Sequence, residues 1–368
     1  MKRINYLAIA MVLLASCSSG PHFILNGNIA GSDSIKFLLK KRVSNTYVTV
    51  DSAISKKGSF KMKGAIDYPE LVLLIAGNTG NRTSFYLENA RITISGKLDS
   101  LFNARVTGSK TQDEYRYIID SRKPLSQKYS DLYLQYQMAN QVRDTAKMNQ
   151  LGKEINSVLK EIDVLQKDFI KTHPASYLAP ELLYDLAENM EPDEIEAAIN
   201  AMDTSVAKIP LVKEMKEKAE RMKRVSVGQT APDFTLNDVK GNPVALSSKI
   251  GTKLLLLDFW AAWCNPCRQE NPNIVKVYNQ FHKKGFDVLG ISLDNNLDAW
   301  IKAIAADKLT WTQVTDTAQY ERSVGKLYAV DVIPSNFLLD ETGKIIARNV
   351  RGEDLYNKVN EILGNQKP

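Results

Sequence analysis

The chain contains few of the residues that commonly bind metal ions. Its 368 residues include only three cysteines and three histidines. A structural zinc site needs about four ligands, most often Cys and His. The histidines His22, His173 and His282 are scattered, and the chain has no second Cys-x-x-Cys motif to meet them. The sequence therefore argues against a zinc centre.

The sequence also has no segment with a strong excess of charge of one sign and no internal repeat. The formal net charge is +6, and the basic residues are spread along the chain. A nucleic-acid-binding protein would instead concentrate Lys and Arg on one face or in one segment. No repeat of fixed period is present. At this length, with 44% hydrophobic residues, the chain has enough material for two or three domains with cores of their own.

Residues 1–16 have the pattern of an export signal. Lys2 and Arg3 form a positive start, and the apolar run from Tyr6 to Ala15 is too short to span a bilayer comfortably. The next residue is Cys17, and the segment 14–17 resembles the lipobox of bacterial lipoproteins. The resemblance implies that Cys17 carries a lipid anchor in the envelope of a Gram-negative bacterium, facing the periplasm. The alternative is an ordinary secretory peptide that happens to contain a cysteine.

Short strand-like runs separated by Gly, Asn and Asp turns fill the next segment. Their spacing predicts an antiparallel, sandwich-like β domain at residues 17–110. The domain resembles the small β domain of unknown function that precedes thioredoxin-like domains in envelope lipoproteins. Its apolar residues are expected to form a core rather than a ligand site. The runs are Phe23–Leu25, Ile35–Leu39, Tyr47–Val50, Ser59–Met62, Leu71–Ile75, Ser84–Leu87 and Arg91–Ile94.

In residues 111–225 the spacing of the apolar residues changes to that of a helix. Apolar residues recur at steps of three and four, and residues 191–194 resemble a helix start with acidic residues in its first turn. We interpret this region as a helical connector that packs on itself and spaces the last domain from the anchor. A partner-binding surface is the alternative. The apolar stripe comprises Ile155, Leu159, Ile162, Leu165 and Phe169.

A Cys-x-x-Cys pair, Cys264 and Cys267, directly follows the apolar run Leu254–Trp260. Two thiols at a strand-to-helix junction can be exchanged for one disulfide, which indicates electron transfer through sulfur. Attachment of a c-type haem is excluded because it requires histidine immediately after the second cysteine, where this chain has Arg268. A purely structural disulfide is the weaker alternative, because a disulfide that closes so short a loop adds little to the stability of a domain.

Residues 226–368 carry three motifs in a fixed order: the opening Val227–Leu236, the Trp-Cys-Asn-Pro-Cys turn at 263–267, and a proline loop with the strand after it, Val332–Asp340. With these motifs in this order, the region resembles the thioredoxin-fold proteins of the TlpA and ResA type, in which the proline of the loop is cis. The resemblance implies an α/β thioredoxin-like domain built as βαβ followed by ββα, with an inserted helix at Asp298–Lys308. It also implies a thiol-disulfide oxidoreductase without a cofactor other than its redox-active disulfide.

The resemblance assigns roles to four residues before the proline loop. Cys264 would be the nucleophile, since a helix N-terminus favours its thiolate, and Cys267 would resolve the mixed disulfide. Asp258 matches the buried carboxylate of thioredoxin and would accept a proton from Cys267 through a raised pKa. A partly solvated Asp258 is the alternative. Glu270 matches an acidic position near the active site, or is simply a solubilising residue.

The remaining site residues are expected to meet the substrate. Pro334 would present the backbone of Ile333 to an incoming peptide strand. Trp263 is placed with them as a substrate-binding residue, although it and Trp260 are expected mainly to pack and shield the disulfide rather than bind a cofactor.

These features predict a reductase of the cell envelope. Between the cysteines, Asn265 and Pro266 supply no cation like the histidine of the strong oxidant DsbA, so we predict a more reducing couple. Its substrates would be envelope proteins with disulfides, apocytochromes among them, and a membrane protein would donate the electrons. One alternative is a peroxiredoxin-like peroxidase, because the opening at 231–234 is shared with peroxiredoxins, but the Pro and Thr of their cysteine motif are missing before Cys264. The other is a binding lipoprotein regulated by its redox domain.

Overall fold

The computed structural model describes residues 21–43, 46–187, 190–318 and 322–364. By its internal contacts the chain divides into two compact units, with the division between Ala179 and Pro180. The predicted signal peptide and Cys17 lie outside the described residues.

The first unit begins with two four-stranded sheets, ordered β4-β1-β7-β8 and β3-β2-β5-β6. Side chains from both sheets share one core, in which the rings of Phe37 and Phe60 stack at 4.3 Å. All seven predicted strand-like runs are strands, and the sandwich-like β domain is confirmed. The strands are β1 (Phe23–Ala30), β2 (Lys36–Val43), β3 (Thr46–Ile54), β4 (Ser59–Gly64), β5 (Glu70–Ala76), β6 (Arg82–Leu87), β7 (Arg91–Lys97) and β8 (Arg105–Thr107).

One pair of strands departs from the antiparallel prediction. β1 runs parallel to β7, whereas the other pairs of these two sheets are antiparallel. Neighbouring strands joined by a tight turn must run in opposite directions, but β1 and β7 are separated by five strands. Their connection is long enough to bring the chain back in the same direction.

Two long helices complete the first unit, α1 (Lys110–Gln141) and α2 (Thr145–Thr172). They pack together through a small apolar core, and their N-terminal amides are capped by Ser109 and Asp144. The predicted apolar stripe of α2 is wrong at one position, because Leu159 is exposed and its neighbour is buried instead. A helical face advances by alternating steps of three and four residues, and the step after residue 155 is three. The buried residues at that face of α2 include Leu151, Val158 and Ile162.

The second unit starts with three helices, α3 (Ala179–Leu186, whose first residue precedes the division), α4 (Pro192–Asn200) and α5 (Pro210–Arg224). The predicted helix start at residues 191–194 is confirmed as a capping box, in which the Glu191 backbone N–H donates to the Glu194 carboxylate at 3.1 Å. These helices belong to the same compact unit as the C-terminal sheet.

A seven-stranded sheet with order β10-β9-β13-β12-β11-β14-β15 forms the centre of the second unit, and it confirms the thioredoxin-like fold. β11 lies parallel to β12 and antiparallel to β14. Apolar cores cover both faces, so all seven residues of β11 are buried, which explains its nearly continuous apolar run. The strands are β9 (Thr235–Asp238), β10 (Pro243–Ala245), β11 (Leu254–Trp260), β12 (Phe286–Ser292), β13 (Thr312–Thr315), β14 (Ser335–Asp340) and β15 (Ile345–Arg348).

In the part of this region that the structure describes, four α-helices accompany the sheet, and one of them is the helix predicted at Asp298–Lys308. They are α6 (Asn265–Phe281), α7 (Leu297–Asp307, the inserted helix), α8 (Val324–Leu327) and α9 (Gly352–Leu363). A search of the described residues for a helix with the length and hydropathy needed to cross a membrane finds none.

Candidate active site

The two cysteines of the Cys-x-x-Cys motif form a disulfide where β11 leads into α6. Cys264 is the N-cap residue of α6, and its Sγ accepts a hydrogen bond from the backbone N–H of Cys267 at 3.2 Å. Pro266 lies in the first turn, where its missing N–H costs no helical hydrogen bond. Both sulfur-bearing residues are almost fully covered. After reduction, the free amides and the positive end of the helix dipole would favour a thiolate on Cys264.

A buried carboxylate fixes the turn that precedes the cysteines. Asp294 accepts hydrogen bonds from the Ala262 backbone N–H and from the Ser292 hydroxyl, each at 2.8 Å. The sequence did not identify this residue. The only available signal was its position just beyond a predicted strand, and a single Asp after a strand is too common to be informative.

A second carboxylate fastens α6 to the end of the inserted helix α7. The Arg268 guanidinium donates to both oxygens of Asp307, with Nη2 to Oδ1 at 2.7 Å, and Asn271 Nδ2 donates to Oδ2 at 2.6 Å. Hydrogen bonding to Asp307 raises the pKa of Arg268 above its usual value. Arg268 also reaches the carbonyl of Ala262 at 3.3 Å. Arg268, which excludes haem attachment by its place after Cys267, therefore also supports the active-site turn.

Asp258 lies in β11 and is only 3% exposed, so the partly solvated alternative is wrong. The pKa of Asp258 is raised to about 7, mainly by burial and also by the negative charge of Glu270, while Arg351 acts in the opposite direction. A carboxyl group with this pKa exchanges protons near neutral pH.

Glu270 is half-buried and is engaged at the start of the terminal helix. Its Oε1 accepts from the Gly352 backbone N–H at 2.7 Å, and its Oε2 accepts from Asn273 Nδ2 at 3.1 Å. Gly352 is the first residue of α9, so the carboxylate satisfies a free N-terminal amide and complements the helix dipole. Glu270 thus has a structural partner in addition to its electrostatic effect on Asp258.

The bond between Ile333 and Pro334 is a cis peptide bond, as the sequence predicts. The carbonyl of Pro334 accepts a hydrogen bond from the guanidinium of Arg351, and Ile333 packs against the apolar cores on both faces of the sheet. Two residues ahead of Ile333, Asp331 forms an ion pair with Lys218 of α5 at 2.7 Å. This loop is therefore held by groups from elsewhere in the unit.

The two tryptophans near the cysteines, Trp260 and Trp263, lie in opposite environments. Trp260 is fully buried, and its indole N–H donates to Gln313 Oε1 at 3.0 Å. Trp263 is 68% exposed, so the expectation that it packs is wrong. Trp260 ends a strand covered on both faces, whereas Trp263 belongs to the turn that follows. Trp263 borders a groove of about 590 Å³, which residues of α7, among them Ala299 and Lys302, also line.

Among the described residues, no group of three or more His, Cys, Asp or Glu side chains could hold a metal ion.

Comparison with known proteins finds two families, one in each part of the chain. The sequence model of the AhpC/TSA family matches residues 227–348, and a domain of unknown function, DUF4369, matches residues 23–115. Neither match includes residues 116–226.

Individual relatives share the C-terminal part of the chain. The thiol-disulfide oxidoreductase ResA of Geobacillus kaustophilus is 33% identical over 141 residues, which is 38% of this chain and 79% of the relative. ResA of Bacillus thuringiensis subsp. konkukian is 28% identical over 140 residues, 38% of this chain and 78% of the relative. The crystal structure of the thioredoxin domain of a thiol-disulfide oxidoreductase from Bacteroides vulgatus is 41% identical and covers 38% of this chain and 98% of that chain, with a TM-score of 0.36.

Proposed function

Since this chain belongs to the ResA-type thiol-disulfide oxidoreductases, we propose that it is a reductase of protein disulfides in the cell envelope. The observation that carries the proposal is the Cys264–Cys267 disulfide at the N-terminus of α6. The chemistry resides in the two sulfur atoms, so no further cofactor is required.

The proposed reaction is two successive thiol-disulfide exchanges. In the reduced enzyme, the Cys264 thiolate attacks one sulfur of the substrate disulfide, forms a mixed disulfide and releases the other substrate sulfur as a thiolate. Cys267 then loses its proton and attacks the Cys264 sulfur. That step breaks the mixed disulfide, releases the second substrate thiolate and leaves the Cys264–Cys267 disulfide. Two electrons pass to the substrate in each cycle.

Asp258 is proposed as the acceptor of the Cys267 proton. The burial that raises its pKa to about 7 makes it a better base than an ordinary aspartate near neutral pH. Glu270 influences this proton transfer through its charge, and its hydrogen bond to Gly352 holds that charge in place.

The loop with the cis peptide bond is proposed as the substrate platform. An extended substrate strand would form main-chain hydrogen bonds with Ile333 beside Pro334, which gives affinity with little sequence selectivity. Trp263 is exposed next to the nucleophile and offers an aromatic surface for side chains that flank the substrate cysteine.

The direction of electron transfer and the location in the cell envelope are proposed from the sequence. Asn265 and Pro266 add no cation that would stabilise the reduced form, which supports a reducing couple. A membrane-bound dithiol protein would have to re-reduce the Cys264–Cys267 disulfide. A lipid on Cys17 would hold the enzyme at the membrane on the periplasmic side, where disulfide-containing envelope proteins, apocytochromes among them, would be substrates.

A trapping experiment tests the proposal. Replacing Cys267 by serine removes the resolving thiol, so Cys264 should retain its substrates as mixed disulfides that dithiothreitol releases. The double variant C264S/C267S is the control and should trap none. Absence of adducts with C267S, or rapid turnover of hydrogen peroxide that C267S leaves unchanged, would overturn the proposal; the second result would instead indicate a peroxidase.

A further inference from the structure

Helix α5 places a lysine on its buried side. The helix shows a regular stripe of buried apolar residues, and Lys218 lies within that stripe with its side chain only 7% exposed. Lys213 and Lys216 of the same helix point to solvent. An ammonium group is costly to bury unless a charged partner and hydrogen bonds compensate it. The apolar members of the stripe are Val212, Met215, Ala219 and Met222.

The partner of this lysine belongs to the cis-proline loop. Lys218 Nζ lies 2.7 Å from Asp331 Oδ2, and the Asp331 side chain is 24% exposed. Asp331 precedes Ile333 by two residues and Pro334 by three. At the other end of this short segment, the Arg351 guanidinium donates to the Pro334 carbonyl. The backbone between these two attachments therefore has little freedom to shift.

We propose that Lys218 is a positioning residue for substrate binding, acting through Asp331 on the loop that presents the Ile333 backbone. This inference depends on the proposed function, because it assumes that substrates dock on that loop. The family match begins at residue 227, after α5 has ended. The helix that precedes the thioredoxin-like domain thus supplies part of its substrate platform.

The test compares a protein disulfide with a small one. Reduction of insulin by dithiothreitol, catalysed by the full chain, requires docking on the loop. Reaction of reduced Cys264 with 5,5′-dithiobis(2-nitrobenzoate) does not. We expect Lys218→Met to raise the KM for insulin about fivefold, with kcat and the rate of the small-molecule reaction within about twofold of wild type. Lys218→Arg should restore the KM because it keeps the cation.

Matched variants separate positioning from general damage to the fold. Lys216→Met, on the exposed side of the same helix, should leave the KM unchanged. Asp331→Asn should raise the KM as Lys218→Met does. The double variant should raise the KM no further, because both substitutions remove the same ion pair. If Lys218→Met does not fold, Asp331→Asn and Lys218→Arg carry the same test.

Two results are decisive against the inference. One is an unchanged insulin KM in both Lys218→Met and Asp331→Asn, even if their thermal stability falls. The other is an equal loss in the insulin and small-molecule reactions, which would indicate distortion of the cysteines themselves. A wild-type enzyme that reacts with the small disulfide but cannot reduce insulin would instead contradict the proposed function.

Discussion

Asp258 occupies the fifth position of a strand whose other residues are leucine, phenylalanine and tryptophan. Because both faces of that strand are covered by apolar cores, its carboxyl group cannot be stabilised by water when it ionises. The pKa is therefore raised from 3.8 to about 7. Since the unfolded chain retains the ordinary pKa, the folded state binds an extra proton between these two values.

The first prediction concerns stability against pH. A group with a raised folded-state pKa stabilises the fold below pH 4 relative to higher pH, and this contribution is lost as the pH rises to about 7. Asp258→Asn removes the titration. We expect the oxidised variant to be more stable than wild type at pH 8, by up to about 4 kcal/mol at 1.36 kcal/mol per pKa unit, and the difference to shrink towards pH 4. Urea unfolding at pH 4, 6 and 8 measures it.

An exposed aspartate provides the matched control for this titration. Asp298 lies on the solvent side of α7, so Asp298→Asn should change stability by less than about 1 kcal/mol at each of the three pH values. A stability difference between Asp258→Asn and wild type that does not depend on pH would show that Asp258 does not titrate as its burial implies.

At the level of single residues, the sequence predicts what depends on local chemistry and neighbouring motifs. Asp258 could be identified because it matches the position of the buried carboxylate of thioredoxin, in an apolar strand next to the cysteines. Asp294 and Asp307 could not, because their partners are brought to them only by the tertiary fold. Trp263 was misjudged because a tryptophan in a turn has no neighbours in sequence that reveal its exposure.

Among the secondary-structure elements, the inserted helix α7 shares an apolar core with α6 and is also attached to it by a cluster of hydrogen bonds. Asp307, its last residue, accepts from both Arg268 and Asn271, and its side chain is only 14% exposed. Arg268 in turn contacts the carbonyl of Ala262 in the active-site turn. Loss of the carboxylate would therefore leave a partly buried guanidinium without its charged partner.

The second prediction tests this attachment. Asp307→Asn should lower the free energy of unfolding by about 2–3 kcal/mol, the cost typical of losing charged hydrogen bonds at a poorly solvated site. Asp298→Asn, at the exposed start of the same helix, should cost less than about 1 kcal/mol, the range of a helix-dipole effect. Chemical unfolding of the oxidised proteins gives both values. Equal losses for the two variants would contradict a special role for Asp307.

Element boundaries and pairings differ in how far the sequence reveals them. Seven of the eight strands of the β domain could be placed because alternation and turn residues are local signals, whereas the three-residue strand β8 is too short to give such a signal. The parallel pairing of β1 with β7 could not, since it depends on the path of five intervening strands. The error at Leu159 has a different origin, because steps of three and four are equally compatible with a helix until the partner helix is known.

For the whole molecule, the two family matches do not include residues 116–226. Helices α4 and α5 lie in this stretch, yet internal contacts group them with the thioredoxin-like sheet. The sequence alone placed them in a connector, because an amphipathic helix does not reveal which surface covers its apolar face. The ion pair between Lys218 and Asp331 is a specific contact between α5 and the thioredoxin-like domain.

The last prediction compares two fragments of the chain. A fragment of residues 180–368, the second compact unit, should unfold at the same urea concentration as that unit does within the full protein. A fragment of residues 226–368 should be less stable by at least about 2 kcal/mol, because it lacks the buried stripe of α5 and leaves Asp331 without Lys218. Near-ultraviolet circular dichroism of the buried tryptophans Trp260, Trp300 and Trp311 follows unfolding in both fragments. Equal stability would mean that α5 contributes nothing to the fold it contacts, whereas instability of both fragments would place the unit boundary before residue 180.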